Sequence, residues 1–81
     1  MARYMVIETF PRGPDPVYRR FAEKGRMLPD GLCYIDSWLS ADGSRCYQLM
    51  ETANRSLFDD WTRHWQDLAE FEIVELGDKP A

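Results

Sequence analysis

Histidine is nearly absent from this chain and cysteine is scarce: His64 stands alone, and Cys33 and Cys46 are the two thiols among 81 residues. A structural zinc site wants four Cys or His ligands at set spacings, so no metal is expected to hold the fold together. An excess of positive charge is also lacking. The formal net charge is −4, which works against nonspecific attachment to nucleic acid or to an anionic membrane. No stretch of the sequence approaches the roughly 20 apolar residues of a membrane span. The apolar start, residues 1–7, is too short for a signal h-region and has no small-residue cleavage site. The cytoplasm is therefore the expected compartment, where both thiols stay reduced. Phosphate-binding glycine loops, dinucleotide fingerprints and paired metalloprotease histidines are missing, and the sequence calls for no cofactor.

What is present is ordinary in proportion and rich in rings. Hydrophobic residues make up 44%, charged residues 30% and aromatics 14%. A chain this short buries only about 60–65% of its unfolded surface, so its margin of stability is thin. With no metal and no disulfide in prospect, a second copy of the chain is the expected support. Arg19, Arg20, Lys24 and Arg26 form a local basic cluster, which reads as a solvated helix face rather than an anion site.

Residues 4–10 are β-branched and aromatic and read as a strand, broken by Pro11-Arg12-Gly13-Pro14. Asp15 suits a helix N-cap, with Pro16 in the first helical position. Val17, Phe21 and Leu28 share one helical side, with Tyr18 and Gly25 at its edge. Pro29 and Gly31 end that helix. Residues 32–39 and 45–51 read as two strands joined by the loop 40–44, which carries Gly43. This hairpin pairs Trp38 with Cys46, Asp36 with Gln48 and Tyr34 with Met50, unless a bulge shifts the register by one. Asn54 or Ser56 can cap a second helix, whose apolar stripe is Leu57, Phe58, Trp61, Trp65 and Leu68. Residues 71–76 read as a last strand and residues 77–81 as a polar tail. The whole is one domain, residues 1–81.

The order β-α-β-β-α-β is the ferredoxin-like α+β pattern, an antiparallel sheet with two helices on one face. Alternation divides the strand residues into two sets. Met5, Ile7, Cys33, Ile35 and Leu49 are assigned to the helix-covered side. Tyr4, Val6, Glu8, Tyr34, Asp36, Trp38, Cys46, Gln48 and Met50 are assigned to the bare side. That second set mixes rings with carboxylates and an amide, the composition of a small-molecule pocket. The expectation is a homodimer closed through this face, with Tyr4, Glu8, Tyr34, Asp36, Trp38 and Gln48 around a small apolar or planar ligand.

The runs Lys24-Gly25-Arg26-Met27-Leu28-Pro29-Asp30-Gly31-Leu32-Cys33-Tyr34-Ile35-Asp36-Ser37-Trp38 and Arg45-Cys46-Tyr47-Gln48-Leu49-Met50-Glu51-Thr52 carry a resemblance. With Tyr4-Met5-Val6-Ile7-Glu8 and Phe58-Asp59-Asp60-Trp61, they resemble a family of short bacterial proteins catalogued as a domain of unknown function. The resemblance covers nearly the whole chain. It implies a dimeric α+β barrel and brings with it no catalytic residues. The start of the second helix, Asn54-Arg55-Ser56, departs from that family's more acidic, proline-containing pattern.

Two residues suggest chemistry. Asp36 among aromatics would have its charge disfavoured and could act as a general base, or it could pair with an arginine across a dimer seam. His64 is the one side chain with an ordinary pKa near neutrality, yet its helix position suits packing at the helix–sheet edge. Cys46 lacks a neighbouring base in sequence and is a poor nucleophile candidate. Three roles remain open: a binding protein, a cofactor-free enzyme of oxygenase or isomerase type, and a structural or interaction domain.

Overall fold

The computed structural model describes residues 1–80. Six elements follow in the order β1 (Ala2–Thr9), α1 (Asp15–Lys24), β2 (Leu32–Leu39), β3 (Arg45–Thr52), α2 (Leu57–Thr62) and β4 (Glu70–Leu76). The four strands form one sheet in the order β2-β3-β1-β4, with neighbouring strands antiparallel. The fold is ferredoxin-like α+β. Among the described residues, no helix is long and apolar enough to cross a membrane, and no three His, Cys, Asp or Glu side chains gather as a metal site. The segment 77–80 has no regular structure, and Ala81 of the expected tail lies outside the described residues.

The helices are shorter than their apolar stripes. α1 starts at Asp15 with Pro14 in the cap position, so Asp15 sits in the first turn rather than capping it. It stops at Lys24, well before Leu28. Gly25 turns the chain out with φ 67° and ψ −160°, a conformation open to glycine because it has no Cβ. Met27 then takes φ 58°, a left-handed geometry uncommon for a residue with a side chain. Met27 and Leu28 pack against the core from this extended connector instead of from a helix. α2 likewise ends at Thr62 and continues as tight turns, in which Trp65 N–H donates to the Thr62 carbonyl and Leu68 N–H to the Trp65 carbonyl. The stripe Phe58, Trp61, Trp65 and Leu68 stays buried through this change. At its start, the Asn54 side chain accepts the Ser56 N–H at 3.1 Å.

On β1, β3 and the first half of β2 the sheet's two faces are the reverse of the sequence assignment, whereas Asp36 and Trp38 keep the bare side expected of them. Tyr4, Val6, Glu8, Gln48 and Met50 lie beneath the helices, and Tyr4, Val6 and Met50 join Phe58, Trp61 and Leu32 in the core. Met5, Ile7, Tyr47 and Leu49 point to the bare side. Period two sorts residues into two sets, but which set is covered depends on where the helices land. Both sets carry large apolar side chains, so composition did not choose between them. Tyr4, Phe58, Trp61 and Phe71 meet edge to face in succession, with ring centroids 5.0–6.4 Å apart. Truncating one such buried ring typically costs about 3–5 kcal/mol, much of the margin of a domain this small.

A bulge corrects the hairpin register. Tyr34 faces Met50 as expected, but Asp36 faces Leu49, Ser37 faces Gln48, Trp38 faces Tyr47 and Leu39 faces Cys46. Ile35 is the extra residue. The bulge sets Asp36 and Trp38 on the bare side and turns Ser37 and Leu39 to the helix side, where Leu39 stays 46% exposed. The turn is tied by Asp42, whose Oδ1 accepts from Ser40 Oγ, Ser44 N and Ser44 Oγ at 2.7–2.9 Å.

Candidate functional site

A cleft of about 220 Å³ lies between α1 and the covered face of the sheet. The sequence reading placed a pocket on the bare face. The structure instead opens one under a helix, because the short α1 does not cover the β2–β3 end of the sheet. Val17, Tyr18 and Phe21 of α1 form its roof, Phe10 and Trp65 one side, and Leu39 its outer lip. Glu8, Cys46 and Gln48 rise from the floor on adjoining strands, since Glu8 pairs with Cys46 across β1–β3.

Two polar groups are taken out of water at this floor. Glu8 is 4% exposed and Gln48 is 8% exposed. The Gln48 amide nitrogen donates to Glu8 Oε1. Gln48 Oε1 is buried and has no hydrogen-bond partner. An unpaired buried acceptor costs about 1–3 kcal/mol, and this one belongs to a side chain that lines the cleft.

Arg26 completes the cleft. Its guanidinium lies 3.6 Å from the Tyr34 ring centroid and 5.0 Å from that of Phe21. Its backbone carbonyl accepts the indole N–H of both Trp61 and Trp65, at 2.9 and 3.1 Å. Tyr34 is steadied in turn by a 2.5 Å hydrogen bond between its hydroxyl and Ser37. α1 is held over the cleft by Arg20, which makes two 2.7 Å bonds to the Asp67 carboxylate and one of 2.8 Å to the His64 carbonyl.

The site's electrostatics follow from burial. Burial pushes the Glu8 carboxyl from 4.5 up to about 7, against the pull of the nearby Arg26 guanidinium. Burial also raises the Cys46 thiol to about 11, and the Glu8 charge adds to this. Cys46 is thus protonated at neutral pH and unsuited to nucleophilic attack. Tyr18 at the roof is raised as well, by burial first and then by Cys46 and Glu8.

Of the residues singled out from sequence, Glu8 and Gln48 meet in the cleft and Tyr34 stands beside it under Arg26. Tyr4 lies deeper, packed on Phe58 in the core. Asp36 is exposed on the bare side, where its Oδ1 accepts the Ser37 N–H at 2.8 Å, and Trp38 is 51% exposed there. His64 is exposed and offers only its backbone to the structure. Arg26 is the residue that sequence reasoning left on a solvated helix face. The left-handed Met27 directs the chain there, and nothing in the local pattern signals it.

Glu8 gives a pH signature. Its folded-state pKa is raised, so the stability it contributes is complete below about pH 4.5 and is lost as pH rises through about 7. The effect is on the order of 3 kcal/mol. Asp42 and Asp67, both held near 2, titrate below this window. Urea unfolding should therefore show the wild type more stable at pH 5 than at pH 8, with Glu8→Gln flattening that difference.

No curated protein and no solved structure matches the chain. A family model does, over residues 2–76, spanning every strand and helix described above. The chain belongs to the family described as Domain of unknown function (DUF3303).

Proposed function

We propose that this domain binds a small, largely apolar ligand in the cleft beneath α1. The observation that carries the reading is the buried Glu8–Gln48 pair at the floor of an apolar cleft, with Gln48 Oε1 left unpartnered. An apolar cavity of about 150 Å³ accommodates benzene, so a cleft of about 220 Å³ suits a single ring with small substituents. Neither Asp36 nor Trp38 belongs to this site. Titrating 15N-labelled protein with benzyl alcohol and benzoate should shift the amide signals of Val17, Phe21, Cys46 and Gln48. Unmoved signals at millimolar concentrations of both compounds would count against the reading.

The domain's partner is a second copy of itself, joined through the bare sheet face. Met5, Ile7, Tyr47 and Leu49 run across the middle of that face, with Trp38 and Val74 beside them on β2 and β4. Contiguous apolar surface of this kind marks an interaction site. Arg3 and Glu51 pair on it at 3.2 Å, so both signs of charge are available for self-association. Cys33 and Cys46 are unpaired and lie on opposite faces, so the chain needs no oxidising compartment and is compatible with the cytoplasm. Light scattering should give twice the chain mass at micromolar concentration, and Leu49→Glu should return a folded monomer. A wild-type monomer would sink this interface.

A second reading, a cofactor-free acid–base enzyme, is favoured by one observation: Glu8 titrates near 7 inside the cleft, where a general base works best. The base is then Glu8 rather than Asp36 or His64. Turnover of any substrate found should disappear in Glu8→Gln and survive in Asp36→Asn. Activity that persists in Glu8→Gln would remove this role.

A further inference from the structure

We infer that the ligand of this cleft is a single-ring carboxylate that also carries a hydrogen-bond donor. The inference rests on the ligand-binding reading above and adds the chemical class.

Three features define that class. Arg26 lies at the cleft wall with its guanidinium packed against Tyr34. Among the described residues, that guanidinium has neither an ion-pair partner nor a hydrogen-bond acceptor. A planar, stacked guanidinium with its donors unused is suited to take a carboxylate through two parallel bonds. Gln48 Oε1 is an acceptor, nine-tenths buried and without a donor. Its amide nitrogen is already committed to Glu8, so a ligand meets it best with an O–H or N–H. Between these two groups the walls are apolar, built from Phe10, Val17, Phe21 and Trp65.

The same groups exclude other classes. A cation would face Arg26 at close range. A phosphate would bring about two charges to a cleft with one cation and a neighbouring carboxyl. A neutral apolar ring would leave the buried Gln48 oxygen and the guanidinium without partners. A sugar would set its hydroxyls against apolar walls.

Carboxylate binding also has a proton consequence. The groups facing Glu8 are Arg26 from the connector, Cys46 and Gln48 from β3 and Tyr18 from α1. Arg26 is the one that favours the Glu8 charge. A bound carboxylate offsets the Arg26 field, so Glu8 takes up a proton as the ligand arrives.

The test is calorimetry at pH 7 with 4-hydroxybenzoate, 3-hydroxybenzoate, benzoate and benzyl alcohol, repeated in two buffers of different ionisation enthalpy. At least one hydroxybenzoate should bind tenfold or more tightly than benzyl alcohol, with benzoate between them, and with net proton uptake. Arg26→Met keeps the packing on Tyr34 and should erase the preference for anions while benzyl alcohol binding persists. Arg26→Lys keeps the charge without the fork and should lose most of the preference. Equal binding of anionic and neutral rings, or an anion preference that survives Arg26→Met, would overturn the inference and leave the ligand cleft standing. No binding of any of the four would overturn both.

Discussion

Two indole N–H groups converge on one carbonyl oxygen, that of Arg26, and much of the structure is arranged around that meeting. Trp61 and Trp65 come from the end of α2 and the turns after it, and Arg26 from the connector between α1 and β2. A buried indole N–H has to find an acceptor, and a connector that has left its helix has carbonyls to spare. Each satisfies the other. The bond pair ties the two crossover segments together across the top of the sheet, independently of their apolar contacts. It also holds the connector where Met27 adopts a left-handed backbone and where Arg26 turns its guanidinium onto Tyr34. Strained residues of this kind persist where their surroundings over-determine them.

The cleft is a by-product of the same economy. α1 ends at Gly25 after ten residues, so it shields part of the sheet and leaves the β2–β3 end open. An ordinary apolar floor there would make a shallow dent. Instead β1 and β3 place Glu8 and Gln48 side by side, and the connector brings one cation to the same cleft, near enough to act on Glu8. The Glu8 pKa near 7 is the balance of burial, which raises it, and Arg26, which lowers it. A modest change in the cleft's charge therefore moves a proton near neutral pH, a property that serves binding or catalysis equally.

The bulge at Ile35 decides which side chains share this environment. Without the extra residue, Asp36 and Trp38 would lie under the helices opposite Gln48 and Cys46, which is how the unbroken alternation pairs them. With it, Ser37 and Leu39 take those places. The cleft gains a hydroxyl that holds Tyr34 and is spared a second carboxylate beside Glu8. Trp38 joins the bare face instead, enlarging its apolar area. One inserted residue thus shapes both the cleft and the surface proposed for self-association.

Much of the architecture was legible in the amino-acid order alone. β2 runs over the expected residues 32–39, and the other strands differ by a residue or two at their ends. The β-α-β-β-α-β order and the buried stripe of Phe58, Trp61, Trp65 and Leu68 follow from local periodicity, because neighbours along the chain dictate them. Tyr34 meets Met50 as expected, but the loop closes one residue off the expected register, with Ser40 bonded to Arg45, and the bulge at Ile35 makes up the difference. Alternation put Glu8 and Gln48 in one set, although the sequence register set Gln48 opposite Asp36 rather than beside Glu8. What local pattern could not supply was sign and reach. The covered face was decided by where two helices land on a sheet apolar on both sides, the register beyond Tyr34 by a bulge with no local signature, and the place of Arg26 by two tryptophans 35 and 39 residues away. Those choices are made by contacts between distant segments, and they become visible only once the chain is folded.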